Sequence, residues 1–159
     1  MRKILLLSML FISNFVFAQS HDSLSTCSFK WYVSPGISYS SKLYTYSMEG
    51  GVWNSTVWIG MVTEFTMDST SKGGYTVDVG PKLYRKVYSV CKFDLFLYGA
   101  VKMVLDKNND VIFEPGSALI YNVSDKCGLQ LSFSSPISNN SNIFNPVIFS
   151  TGFGINWFF

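Results

Sequence analysis

The feature of this sequence that most restricts its fold is an alternation of apolar and polar residues that runs from Phe29 to the last residue, Phe159. Alternation with a period of two residues is the pattern of a β-strand with one apolar and one polar face. Most of the alternating segments reach the roughly 9–11 residues that a membrane-spanning strand needs. The eight segments are residues 29–40, 44–54, 56–67, 74–86, 91–104, 111–123, 127–134 and 146–159.

The connections between these segments alternate between short and longer ones. The short connections are residues 54–55, 87–90 and 124–126, and the others are residues 41–43, 68–73, 106–110 and 135–145. Short periplasmic turns and longer external loops are typical of outer-membrane barrels, whose even strand number places both chain ends at the periplasmic rim. The sequence therefore predicts an all-β fold, an eight-stranded antiparallel up-and-down transmembrane β-barrel.

Aromatic residues on the apolar face gather near both ends of the predicted strands. Such girdles mark the two membrane interfaces of a transmembrane barrel. The predicted periplasmic girdle is Phe29, Trp31, Phe93, Tyr121, Trp157 and Phe159. The predicted external girdle is Tyr39, Tyr46, Phe65, Tyr75, Phe113, Phe133 and Phe149.

Three prolines, Pro35, Pro81 and Pro115, lie inside predicted strands. Because proline lacks the backbone N–H that a β-ladder uses, we expect bulges or local breaks at these positions.

Residues 1–18 have the layout of a secretory signal peptide, with Arg2 and Lys3 ahead of an apolar segment and a small residue, Ala18, before the expected cleavage. The alternative is a membrane anchor helix, but the apolar part would be only about 21 Å long, short for a span of roughly 20 residues. Residues 19–28 are polar and small, and we expect a flexible periplasmic lead-in there. The barrel is then predicted to occupy residues 29–159.

Composition agrees with a barrel and excludes a nucleic-acid-binding protein. Charged residues make up only 14% of the chain and aromatic residues 17%, which fits strands that alternate between lipid and a barrel interior. Removal of residues 1–18 lowers the count of Lys and Arg from 12 to 10, equal to the 10 Asp and Glu. The mature chain would be formally neutral, so no basic surface for nucleic acid is predicted.

Charged residues recur on the polar face of the alternation, which the barrel fold would turn inward. We expect a paired interior network, because an unpaired buried charge is costly and eight strands leave an interior that side chains fill. The alternative is a polar pore or proton path. The five acids and three bases are imbalanced, and water, Lys92 or a raised carboxyl pKa would have to compensate. The predicted network is Lys30, Glu49, Glu64, Asp78, Lys82, Asp94, Lys102 and Glu114.

No catalytic, cofactor-binding or metal-binding residues are predicted. The only histidine, His21, precedes every predicted strand, whereas a nucleophile needs a base held within hydrogen-bond reach. The oxygen-rich segment at residues 106–110 lacks the glycine and distal glutamate of an EF-hand loop. We therefore expect no enzymatic activity and no cofactor.

Three cysteines, Cys27, Cys91 and Cys127, fall near the predicted periplasmic rim. One predicted strand separates Cys91 from Cys127, so their Cα atoms would be about 9.6 Å apart, beyond the roughly 7 Å limit for a disulfide. We expect no disulfide fixed by the barrel.

The whole mature chain resembles the small outer-membrane β-barrel family of OmpA-transmembrane-domain and OmpX-like proteins. The resemblance is carried by the signal segment, the alternating strands, the stretch EPGSALIYNVSDKCGLQLSFS and the final GFGINWFF. It implies a Gram-negative source, such as a member of Bacteroidota, and insertion by the barrel-assembly machinery. It also implies that Trp157 and Phe159, in the last strand, form the insertion signal.

The family fold hosts several functions, so the function must be argued separately. The sequence favours a non-enzymatic integral outer-membrane protein with a structural or loop-mediated role, in contact with outer-membrane lipid and with a protein or surface ligand at the external loops. Residues 135–145 form the longest predicted loop. The alternatives are a small-solute pore and a periplasmic lipocalin-like barrel, in which apolar residues would face inward.

Overall fold

The structure is a computed structural model that describes residues 29–40, 43–68, 74–105, 110–138 and 149–159. The predicted signal peptide and lead-in lie outside the described residues. No helix in the described part of the chain is long and apolar enough to cross a membrane. The strands are β1 (Lys30–Ser40), β2 (Leu43–Trp53), β3 (Val57–Asp68), β4 (Tyr75–Val90), β5 (Phe93–Val104), β6 (Val111–Ser124), β7 (Cys127–Ser134), β8 (Ile137–Ser138) and β9 (Ser150–Phe158).

These strands close into a barrel in which neighbours in the sequence are neighbours in space. The first and last strands, β1 and β9, pair antiparallel, and β5 pairs with both β4 and β6. The two-residue strand β8 pairs with β6 at Phe113↔Ile137, above the β6–β7 pairing. Together β7 and β8 thus serve as one barrel strand interrupted at Ser135 and Pro136. The predicted eight-stranded antiparallel up-and-down barrel is confirmed.

The two rims differ in their connections. The short-turn rim carries the tight connections after β2, β4 and β6 together with the start of β1 and the end of β9, and the long-loop rim is the opposite one. Side chains alternate between a buried interior and an exposed outer face along nearly every strand. The residues predicted for the two aromatic girdles all point outward and are exposed, except that Phe113 is half-buried.

The strand prolines break ladders locally without shifting their register. Pro35 pairs with Met48 on β2, while the pairing with β9 skips two residues and resumes in the same register. Pro81 likewise pairs with Met61 on β3, and the β4–β5 pairing skips Gly80 and Pro81. Pro115 pairs with Gly99 at the level where β7 ends. The expected local breaks are present, but the expected bulges are not at these positions, because a proline removes a donor on only one side of its strand.

The bulges lie instead at the short-turn rim, between Lys86 and Tyr88 in β4 and between Asn122 and Ser124 in β6. The prediction that β4 ends at residue 86 is wrong, since the bulge lets the strand continue with β5 as far as Val90. The turn is reduced to residues 91–92, so Cys91 does not begin β5 as predicted. Its φ of 53° is the left-handed conformation that closes a tight turn.

Gly80 marks a close approach between β4 and β5. A Cβ atom there would lie 2.0 Å from the Val101 carbonyl oxygen and 2.7 Å from the Lys102 Cα, whereas a Cβ at Gly99 would meet nothing within 4 Å. We predict that Gly80→Ala lowers the free energy of unfolding by about 1–3 kcal/mol through overpacking, and that Gly99→Ala lowers it little or not at all. Urea unfolding of refolded protein, followed by tryptophan fluorescence, measures both; equal effects of the two variants would contradict the close approach.

Candidate functional site

The barrel interior nearest the short-turn rim is filled by aromatic side chains. Trp58 lies at the centre, with ring centroids of Tyr32 at 5.1 Å, Phe96 at 4.9 Å and Phe158 at 5.3 Å. These tilted and edge-on contacts are the preferred geometries of aromatic pairs. The aromatic plug, as we call this cluster, consists of Tyr32, Trp58, Tyr84, Phe96, Tyr98, Ala118, Ile120 and Phe158, with Trp53 packed against it.

A buried carboxylate, Glu49, lies where the plug meets the polar part of the interior. Its Oε1 accepts a hydrogen bond of 2.5 Å from the Tyr32 hydroxyl, and its Oε2 accepts one of 2.8 Å from the Tyr84 hydroxyl. The Lys82 Nζ lies 3.5 Å from Oε2 and 4.2 Å from the centroid of the Tyr98 ring. Hydrogen bonds, an ion pair and a cation–π contact therefore offset the cost of burying this pair of charges.

Lys102 forms a second cluster nearer the long-loop rim. Its Nζ donates to Glu64 Oε2 at 2.5 Å and also to Glu114 Oε2. The Tyr98 hydroxyl donates to the other Glu114 oxygen at 3.2 Å. Lys102 is therefore shared by two carboxylates, in the charge-assisted hydrogen bonds that are strongest away from water.

A third cluster lies at the short-turn rim around Asp94. This carboxylate accepts hydrogen bonds from the Ser89 hydroxyl at 2.6 Å and the Asn122 side-chain amide at 2.9 Å, and it pairs with the Lys86 Nζ at 3.2 Å. Because these groups are partly exposed, we expect the pair to contribute less to stability than the buried ones.

The eight residues predicted to form one interior network are divided among several separate places in the barrel. Six of them lie in the three separate clusters just described, and Asp78 is buried without an ion-pair partner within 4.0 Å among the described residues. Lys30 is exposed, with its Nζ 5.8 Å from the Trp53 ring centroid. Lys92 lies in the exposed turn at the short-turn rim and does not compensate the excess of acids deeper inside. The side chains of Trp157 and Phe159, the predicted insertion signal, point outward at this rim.

The sequence pattern did not single out the tyrosines that hold the buried carboxylates. Tyr32, Tyr84 and Tyr98 all lie on the inward-facing positions of their strands, next to the plug. They can be recognised in the sequence because each occupies an inward-facing position with a large side chain that can also donate a hydrogen bond.

Above the plug the interior opens into a polar cavity. One part is lined by Glu49, Lys82 and Tyr98 and by several serines. A second part reaches Leu43 and Pro136 at the long-loop rim. Because both parts are lined by Glu64 and Glu114, we describe them together as the polar cavity. It is suited to hold water or a polar ligand, and the plug separates it from the short-turn rim.

The described residues include no group of three or more His, Cys, Asp or Glu side chains placed to hold a metal ion. Cys91 and Cys127 form no disulfide among the described residues. Cys27 and the oxygen-rich segment at residues 106–109 lie outside the described residues, as does most of the predicted 135–145 loop.

Solved transmembrane barrels share this fold. The N-terminal barrel domain of Pseudomonas aeruginosa OprF aligns with a TM-score of 0.62 at 7% identity, covering 82% of this chain and 97% of that chain. Neisserial surface protein A aligns with a TM-score of 0.63 at 10% identity, covering 82% and 96%. A de novo designed transmembrane β-barrel aligns with a TM-score of 0.54 at 14% identity, covering 82% and 95%. At these identities the likeness concerns the fold alone.

No protein-family profile and no curated protein sequence matches the chain.

Removal of Lys102 should destabilise the barrel more than removal of Lys86. We predict that Lys102→Met lowers the free energy of unfolding by about 3–5 kcal/mol, because Glu64 and Glu114 would lose their shared buried partner. Lys86→Met should cost at most about 1 kcal/mol, because its partner Asp94 is partly exposed. Denaturant unfolding in detergent micelles compares the two; the triple variant Lys102→Met, Glu64→Gln, Glu114→Gln should recover stability if the unpaired carboxylates cause the loss.

Proposed function

We propose that this chain is an integral outer-membrane barrel of the OmpA and OmpX-like kind that acts without catalysis, through its membrane structure or its external loops. The observation that carries the proposal is the polarity of the barrel wall, which is apolar outside and charged inside.

The outer face has the character of a surface in contact with lipid. Large apolar side chains are exposed on every long strand, among them Trp31, Met48, Met61 and Phe153. A patch of this extent is far larger than monomeric soluble proteins expose to water. A lipocalin-like barrel would have the opposite polarity, with an apolar ligand cavity inside, so the observed polarity favours the membrane protein over that alternative.

The aromatic plug argues against a constitutive solute pore. Trp58, Tyr84 and Phe96 are each less than 4% exposed. The Trp58 ring on β3 reaches across the interior to the Phe158 ring on β9, with 5.3 Å between the centroids. The narrow interior of an eight-stranded barrel leaves side chains to fill the lumen, and here they fill the end nearest the short turns.

The proposal that the protein is not an enzyme is supported by the absence of a histidine base from the described part of the barrel. The only histidine of the sequence, His21, precedes β1 and lies outside the described residues, so the described barrel wall itself supplies no histidine base for a serine. The polar cavity contains lysines already engaged with carboxylates, which fits binding better than proton transfer.

The proposed partners follow from the same surfaces. Outer-membrane lipid would contact the apolar belt, the barrel-assembly machinery would recognise the last strand through Trp157 and Phe159, and a protein or surface ligand would contact the loops at the long-loop rim.

Expression in a Gram-negative host tests the proposed location. We predict recovery in the outer-membrane fraction with heat-modifiable migration on gels, because a closed barrel resists unfolding by detergent until it is heated. Recovery in the soluble periplasmic fraction would contradict the proposal.

A charged substitution on the outer face refines this test. Met61→Arg should lower the free energy of unfolding from lipid vesicles by about 2–4 kcal/mol. Tyr88→Arg, on β4 at the short-turn rim, should lower it by about 0–1 kcal/mol. Equal effects at the two positions would argue against a membrane around Met61.

Planar-bilayer recording tests whether the plug closes the barrel. We predict no stable open level for the unmodified protein and measurable conductance for the double variant Trp58→Ala, Phe96→Ala, which removes two central rings of the plug. Phe93→Ala, on the outer face of β5, is the matched control and should remain closed. A stable open level in the unmodified protein would favour the pore.

A further inference from the structure

The polar cavity carries more negative than positive charge near the long-loop rim. Three carboxylates, Glu64, Asp78 and Glu114, line its outer part together with one ammonium group, that of Lys102. Lys102 attracts Asp78 as well, but its ion pairs within 4.0 Å are with Glu64 and Glu114, so one ammonium group is shared among three carboxylates in this part of the cavity.

The strand register places two of these carboxylates next to each other. Asp78 on β4 lies directly opposite Glu64 on β3, and both side chains face inward. Like charges directly opposite on neighbouring strands are destabilising. Since Asp78 is only 3% exposed, bulk solvent does little to screen the repulsion.

Two buried polar atoms that line the outer cavity have no hydrogen-bond partner among the described residues. They are Asp78 Oδ1 and the Ser40 hydroxyl oxygen. Buried polar groups in folded proteins are nearly always bonded to protein, water or a ligand. Around them the cavity wall supplies further oxygen acceptors from Ser38, Thr45 and Ser150.

We propose that this outer part of the cavity binds the primary ammonium group of a small molecule, with Asp78 as its counter-ion and Ser40 as a second acceptor. An ammonium group supplies both the missing positive charge and up to three N–H donors. Lys102 on the neighbouring strand β5 makes this kind of contact, since its one ammonium group bonds two carboxylates.

A metal ion fits the same place less well. The described residues include no set of three carboxylate, histidine or cysteine side chains arranged around one point.

The test uses the full mature chain refolded in a neutral maltoside detergent, with methylammonium as the probe. Sodium chloride is replaced stepwise by methylammonium chloride at constant ionic strength, and the amide chemical shifts around Asp78 are followed by NMR. We expect saturable shifts in β4. Tetramethylammonium carries the same charge without N–H donors, and it should bind at least about tenfold more weakly because charge-assisted hydrogen bonds are lost.

Three variants locate the site. Asp78→Asn should abolish the saturable shifts, and Ser40→Ala should weaken binding while keeping the barrel charge, so it remains informative if the first variant folds poorly. Asp125→Asn removes one carboxylate from an exposed turn at the opposite rim and should leave binding unchanged.

Absence of saturation, equal binding of tetramethylammonium, or an equal loss in Asp125→Asn would overturn the proposal. The experiment requires a folded barrel in detergent and no particular cellular location. Its failure is therefore distinguishable from failure of the proposed membrane function.

Discussion

The structure depends on the hydrogen-bonded closure between β1 and β9. A sheet with free edges would leave backbone N–H and C=O groups without partners, which hydrocarbon does not tolerate. Closure pairs Tyr32 with Phe158 at one end of the two strands and Tyr39 with Thr151 at the other. Because the closed sheet has no edge, its outer face can carry apolar side chains in hydrocarbon without leaving backbone groups unpaired.

Closure with eight strands also decides what the interior contains. The lumen is too narrow for bulk water along its whole length, so inward side chains must fill it or satisfy one another. Near the short-turn rim aromatic rings fill the space around Trp58. Further along, Glu49 and Lys102 are held by tyrosines and opposite charges, while many inward positions are glycine or serine and leave a cavity. One alternating pattern thus produces a packed half and an open half.

The strands and the face of nearly every residue could be predicted from the sequence, because a period of two fixes which side chains share a face. The positions of bulges and the grouping of the inward charges could not. Lys30 and Glu49 both lie on the polar face of their strands, yet Lys30 is exposed at the rim and Glu49 is buried against Tyr32 and Tyr84. Their heights in the barrel depend on the stagger between strands, which alternation does not encode. The bulge near Val87, which lengthens β4, could not be predicted because no proline or glycine lies beside it in the sequence.

The aromatic plug includes one residue from each end of the barrel sequence. Tyr32 comes from the first strand and Phe158 from the last, and the Phe158 ring lies 4.6 Å from that of Trp53 and 5.3 Å from that of Trp58. A chain with seven strands in place would therefore have an open seam and also an unfinished core, with Trp58 lacking one of its neighbours. Pairing of β9 with β1 therefore seals the wall and completes the core in the same step.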